Sequence, residues 1–145
     1  MRRFFKRNKP QPQAQGAVLQ MDGTPVTILI VDDSPTETHI LKGILERGGY
    51  QVMTADNGER GVSKAIESNP SLILMDVVMP GLNGFQATRQ LSQTPETANI
   101  PIIMVSTKNQ ETDRAWGMRQ GARDYVVKPV SAEDLLDKVR VVLNV

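Results

Sequence analysis

The sequence predicts a doubly wound α/β fold on a five-stranded parallel sheet, and three observations carry that expectation. Short apolar segments alternate with amphipathic ones from residue 26 to residue 143. Most of the strand candidates are apolar without a polar break, as suits strands buried on both faces. They end in polar or turn residues: Asp32-Asp33, Asp76, Ser106-Thr107 and Lys128-Pro129. Strands that alternate with helices imply a parallel sheet covered on both sides, with right-handed crossovers.

Each element has its own reason. Val26–Val31 is β-branched and apolar, a strand, and Asp32-Asp33 ends it. Ser34 caps the next helix, Pro35 suits its first position and Glu37 completes a capping box. Ile40, Leu41, Ile44 and Leu45 give that helix an inward stripe, and Gly48-Gly49 stops it. Gln51–Ala55 is a second strand. Asn57-Gly58 turns, and Glu59–Ser68 is a helix with Val62, Ala65 and Ile66 inward, closed by Asn69-Pro70. Leu72–Met75 is the central strand, with Asp76 at its carboxyl end, and Pro80-Gly81 turns the chain after it. A third helix, Gly84–Ser92, carries Phe85, Thr88 and Leu91 on one side. Ile100–Val105 is the fourth strand, Gln110–Gln120 the fourth helix, and Asp124–Val127 the short fifth strand. Ser131 caps a last helix with Leu135, Leu136, Val139, Val142 and Leu143 inward. A flavodoxin-like (βα)5 arrangement is the natural solution.

The 145 residues suffice for one domain and a tail. A domain of that size buries roughly 68–70% of its unfolded surface and needs no staples. There is no Cys, hence no disulfide and no thiolate metal site. No apolar run nears the ~20 residues of a membrane helix, so no stable membrane insertion is expected. Both features suit a cytoplasmic protein. Residues 1–24 carry Arg2, Arg3, Lys6, Arg7 and Lys9 against Asp22 alone, a net of +4, which leaves −3 for residues 25–145. The folded part has no basic stripe, which argues against a nucleic-acid reader. Residues 1–24, rich in Pro and Gln, read as a flexible tail, solvated rather than bound to lipid. Arg2-Arg3-Phe4-Phe5-Lys6 lacks the apolar region of an export signal.

A parallel sheet brings its carboxyl ends to one edge, where ligands bind. That edge gathers Asp32, Asp33, Asp76, Ser106, Thr107 and Lys128, with Asp56 at its periphery. Two unit charges ~5 Å apart cost ~3 kcal/mol at an effective dielectric of 20, so three carboxylates call for a cation. Lys128 supplies one positive charge and is expected to pair with Asp76. Oxygen donors alone suit Mg²⁺, and without a His at these strand ends zinc is disfavoured. His39 reads as an exposed helix residue. A Mg²⁺ held by Asp33 and Asp76 can clamp a phosphoryl group while an Asp76 oxygen attacks, with Lys128 and the Ser106 hydroxyl on the remaining oxygens.

These residues resemble a known family. Ile30–Ser34, Leu74–Gly84, Val105–Thr107 and Gly121–Pro129 are similar to the receiver domain of bacterial two-component response regulators, the CheY-like family. The resemblance spans residues 26–145. It implies that Asp76 is the phosphoacceptor, fed by a histidine kinase of chemotaxis type. It implies that Asp33, Asp76 and the backbone carbonyl of Val78 bind Mg²⁺, with Asp32 acting through water. Ser106 would be the hydroxyl switch and Tyr125 the aromatic one, turning into space that Ser106 vacates. The Lys128–Pro129 bond would be cis. Within the family, Pro35–Glu37, Gly81–Leu91 and Gln110–Gly117 are similar to stand-alone regulators of type IV pili and twitching motility. With no output domain after Val145, a downstream protein would bind the surface of the fourth helix, fifth strand and fifth helix, or the chain would act as a phosphate sink. Trp116 on the fourth helix reads as a partly buried core residue rather than a partner anchor.

Three other readings fit these residues less well. A haloacid-type phosphatase wants a second Asp where Val78 stands. A nucleotide binder wants a phosphate-cradling loop where Asp32-Asp33 would repel phosphate. An unphosphorylated receiver-like binding module would not need the full set of edge residues.

Overall fold

The computed structural model describes residues 16–145. The strands are β1 (Thr27–Val31), β2 (Gln51–Ala55), β3 (Leu72–Asp76), β4 (Ile102–Ser106) and β5 (Asp124–Val127). The helices are α1 (Pro35–Arg47), α2 (Gly58–Ser68), α3 (Gly84–Gln93), α4 (Glu111–Gln120) and α5 (Ala132–Leu143). The strands form one sheet in the order β2-β1-β3-β4-β5, every pair parallel. The order reverses between β1 and β3, which opens a crevice above their carboxyl ends.

Alternation along the strands splits the core in two. Leu29, Val31, Ile73, Met75, Ile102 and Met104 face α2 and α3, packing with Val62, Ala65, Ala87 and Leu91. Ile28, Ile30, Leu72, Leu74, Ile103 and Val105 face α1 and α5, packing with Leu41, Ile44, Leu45, Leu135 and Val139. The apolar runs of β1, β3 and β4 arise because both faces are covered.

Three sequence expectations are corrected. Ile40 is 47% exposed and Ile66 43% exposed, although their spacing predicts an inward position. Each lies about 40° of helix turn outside the buried stripe of its helix, flanking Ile44 and Val62, at the margin of the width the sheet covers. β4 begins at Ile102 rather than Ile100. The Ile100 amide donates to the Thr97 carbonyl in a turn, and Pro101 has no N–H to give a ladder. Trp116 belongs to neither core. It is 48% exposed, with the Arg119 guanidinium 5.9 Å from its ring centroid.

Of the stretch expected as a tail, residues 1–15, with Arg2-Arg3-Phe4-Phe5-Lys6, lie outside the described residues. The part from Gly16 on lies along the domain. The Val18 amide donates to the Gly49 carbonyl, the Val26 amide donates to Val18, and Leu19 bridges Pro25. Val18 packs against the α1/α5 core at the sheet end opposite the acidic edge.

The exposure pattern gives a stability test. Ile40→Ala and Ile66→Ala should each cost under about 1 kcal/mol in urea unfolding, and Leu41→Ala about 2–5 kcal/mol. Equal costs for Ile40 and Leu41 would restore the wider stripe.

Candidate phosphoryl-transfer site

Asp32 and Asp33 follow β1 directly, and Asp76 is the last residue of β3. Val31 lies opposite Met75 in the β1–β3 register, so the next residues of both strands meet at the crevice. Oxygens of Asp32, Asp33 and Asp76 all fall within 4.8 Å of one another. Asp32 and Asp76 are buried, and Asp33 is exposed. Among the described residues this cluster holds carboxylates alone. Such a donor set fits a hard divalent cation that keeps several waters.

Lys128 follows β5, beside a cis Lys128–Pro129 bond. Its Nζ lies 3.0 Å from Asp32 Oδ2, 3.5 Å from Asp76 Oδ1 and 3.9 Å from Glu37 Oε1. The pairing expected with Asp76 is therefore shared, and its hydrogen bond goes to Asp32. Asp32 is committed on both oxygens, since Oδ1 accepts from the Ser34 amide at 2.9 Å. Glu37 departs from its expected role too. Ser34 accepts from the Glu37 amide, but the Glu37 carboxylate faces Lys128 instead of closing a capping box.

Electrostatics follow from this crowding. Burial, and then the charge of Asp32, push the Asp76 carboxyl up to about 6, and Lys128 only partly counters them. For Lys128, burial opposes the charge. The Asp32 hydrogen bond and the charges of Asp76, Asp32 and Glu37 outweigh it and hold the ammonium above its ordinary value.

Ser106 ends β4 and is fully buried. Its Oγ accepts from the Lys108 amide at 3.1 Å. Tyr125 is only 4% exposed, and its hydroxyl donates to the Lys108 carbonyl at 2.8 Å. Two expected switch residues thus grip the same backbone residue. Thr107 and Val78 are exposed, and Asp56 pairs outward with Arg60. His39, exposed as expected, lines a crevice of about 680 Å3 between α1 and α2 that opens beside Asp33.

One residue acts here in a way that its sequence does not announce. A Cβ on Gly84 would overlap the Asp76 carbonyl oxygen, and the Gly84 amide donates to the Val77 carbonyl at 2.9 Å. The first residue of α3 must therefore be glycine for the loop after Asp76 to close. The motif Gly81–Gly84 marks a turn, but only the tertiary approach shows what the second glycine avoids.

The raised carboxyl has a measurable consequence. The folded chain holds the Asp76 proton more tightly than the unfolded chain. The Asp76 contribution to stability is thus full below about pH 4 and is lost as pH rises through about 6. Two pKa units correspond to about 3 kcal/mol. In chelator, Asp76→Asn should stabilise the protein at pH 7.5 by up to that amount and have little effect at pH 4, read by urea unfolding. An equal effect at both pH values would refute the crowding.

Comparison with known proteins agrees with this geometry. Residues 28–140 match the response regulator receiver domain family. Protein PilH of Pseudomonas aeruginosa is 60% identical over 116 residues, 80% of this chain and 96% of PilH. The receiver domain of the sensor histidine kinase PA1611 of the same species, with a magnesium ion coordinated in its active-site cleft, superposes with a TM-score of 0.76 at 28% identity, over 82% of this chain and 98% of that one. A chain of the CheX–CheY–BeF3–Mg²⁺ complex of Borrelia burgdorferi superposes with a TM-score of 0.79 at 28% identity, over 86% and 94%. A carboxylate cluster at the β1/β3 switch point, a lysine after β5 and a match over most of the domain lead to one conclusion: the chain belongs to the response regulator receiver domain family.

Proposed function

We propose that Asp76 accepts a phosphoryl group from a histidine kinase of chemotaxis type in a Mg²⁺-dependent step, and that the acyl phosphate alters a protein-binding surface. The observation that carries this is the placement of Asp76 inside the carboxylate cluster, 3.5 Å from Lys128. Asp33, Asp76 and the Val78 carbonyl would hold the ion, with Asp32 acting through water. The ion supplies positive charge that neutralises both the cluster and the incoming phosphoryl oxygens.

The residues of the chain do the rest. An Asp76 carboxylate oxygen attacks phosphorus, and the bond from phosphorus to the donor imidazole nitrogen breaks. That nitrogen keeps the electron pair. Lys128, already desolvated beside Asp76, binds a phosphoryl oxygen as a charge-assisted donor. The Ser106 hydroxyl, which accepts from the Lys108 amide in the described state, would donate to another. Turning it toward the phosphate loosens the Lys108 amide, and the Tyr125 hydroxyl holds the carbonyl of that same residue. Phosphorylation brings about −1.5 to −2 charge, enough to bias such a linkage.

The surface that responds comprises α4, β5 and α5, where Trp116 and Val127 are exposed. It would carry a downstream protein. The 60% identity to PilH supports a place in chemotaxis-like control of type IV pili and twitching motility. No helix among the described residues is long and apolar enough to cross a membrane, which agrees with a cytoplasmic setting.

Incubation with Mg²⁺ and a small phosphodonor, followed by intact mass, should add one phosphoryl group to the wild type and none to Asp76→Ala. Uptake by Asp76→Ala at the wild-type rate would overturn the assignment. Val78 is exposed beside the site, and an apolar side chain there cannot orient a hydrolytic water. Wild-type phosphoprotein should accordingly lose phosphate more slowly than Val78→Asn. A faster wild-type loss would refute that role.

A further inference from the structure

We propose that Glu59, on α2 and outside the carboxylate cluster, is a positioning residue for the loop that follows the phosphoacceptor. The proposal rests on the reading of Asp76, Asp33 and the Val78 carbonyl as the metal site. That loop, Val77 to Asn83, has its near end fixed by the strand and its far end by the Gly84 amide on Val77. Between those anchors lie Val78, Pro80 and Gly81, the last at φ +73, where a side chain is strained.

Contact from α2 holds this middle part. Glu59 Oε2 accepts from the Leu82 amide at 3.2 Å across 23 residues of chain. The same carboxylate lies against Gly81, 3.1 Å from where a Cβ would stand. Next to Glu59, Gly58 is buried under the loop, and a Cβ there would overlap the Leu82 carbonyl oxygen. The α2 N-terminus therefore meets both polar groups of the Leu82 backbone: the carbonyl by close approach to Gly58 and the amide by the Glu59 carboxylate. The Glu59 side chain is exposed and has no other hydrogen bond among the described residues.

The consequence concerns the Val78 carbonyl. A backbone ligand binds well only when its loop is already in place, and outer groups that orient ligands commonly tune metal affinity. Glu59 sets the Leu82 end of the loop and so limits the directions the Val78 carbonyl can take. Hydrogen bonding does this, not charge. Glutamine at the same position keeps a carbonyl oxygen for the Leu82 amide, and alanine keeps nothing.

Wild type, Glu59→Gln and Glu59→Ala distinguish the two. In metal-free protein, amide exchange over residues 78–83 should quicken in Glu59→Ala and stay near wild type in Glu59→Gln. By calorimetry, Mg²⁺ should bind Glu59→Ala about ten-fold more weakly, and Glu59→Gln close to wild type. Phosphate uptake by Glu59→Ala should recover at saturating Mg²⁺, as a loss of positioning requires. Unchanged exchange and unchanged Mg²⁺ affinity in Glu59→Ala would overturn the proposal. So would a Glu59→Gln variant as impaired as Glu59→Ala, since charge and not hydrogen bonding would then be at work. Failure of the wild type itself to bind Mg²⁺ would sink the phosphoacceptor reading, and the exchange comparison would still decide whether Glu59 holds the loop.

Discussion

Lys128 lies 3.0 Å from Asp32 and 3.5 Å from Asp76, one ammonium shared by carboxylates that a parallel sheet has forced onto one edge. Asp33 adds a third carboxylate within the same 4.8 Å cluster. One cation cannot neutralise three anions. The fold accepts the imbalance because its central strands are held by two apolar cores, which the charged edge does not enter. What remains is a pocket of unspent negative charge beside one amine. That is a poor place for a free phosphate and a good one for a divalent ion that brings phosphate with it.

The site also reaches outward through the backbone. Ser106 and Tyr125 come from neighbouring strands, β4 and β5, yet both bond to Lys108. Lys108 is thus the shared neighbour through which the proposed switch would act. On the other side, the loop after Asp76 rests on the start of α2 through Glu59 and Gly58. The acidic edge thus has two mechanical neighbours. One leads toward α4 and β5, and the other stiffens the loop that bears the Val78 carbonyl.

Much of this was legible in the chain. Five strand candidates alternating with helices have a parallel sheet as their natural arrangement, and it brings Asp32, Asp33, Asp76, Ser106 and Lys128 to the same edge. What the sequence could not give was tertiary detail. Ile40 and Ile66 fit an inward stripe by period alone, but how wide a stripe the sheet covers depends on packing. Trp116 looked like core because large aromatics usually are, and nothing local says that α4 presents it to solvent. Lys128 and Asp76 both stand at strand ends, which predicts their pairing. That Asp32 takes the hydrogen bond depends on where the lysine head comes to rest. Glu37 fits a capping box by spacing, yet a stronger partner, Lys128, lies across the crevice. Gly84 and Glu59 act through approaches between distant segments, for which one sequence carries no period and no spacing.

The central claim is that the crowded acids hold a metal ion and that Asp76 is the one forced to keep a proton. Calorimetric titration of Mg²⁺ in buffers of differing ionisation enthalpy, at pH 6 and at pH 8, tests both parts at once. With Asp76 near 6, binding should release about half a proton at pH 6 and almost none at pH 8, one ion per chain. No binding, or binding with no proton release at pH 6, would contradict the account.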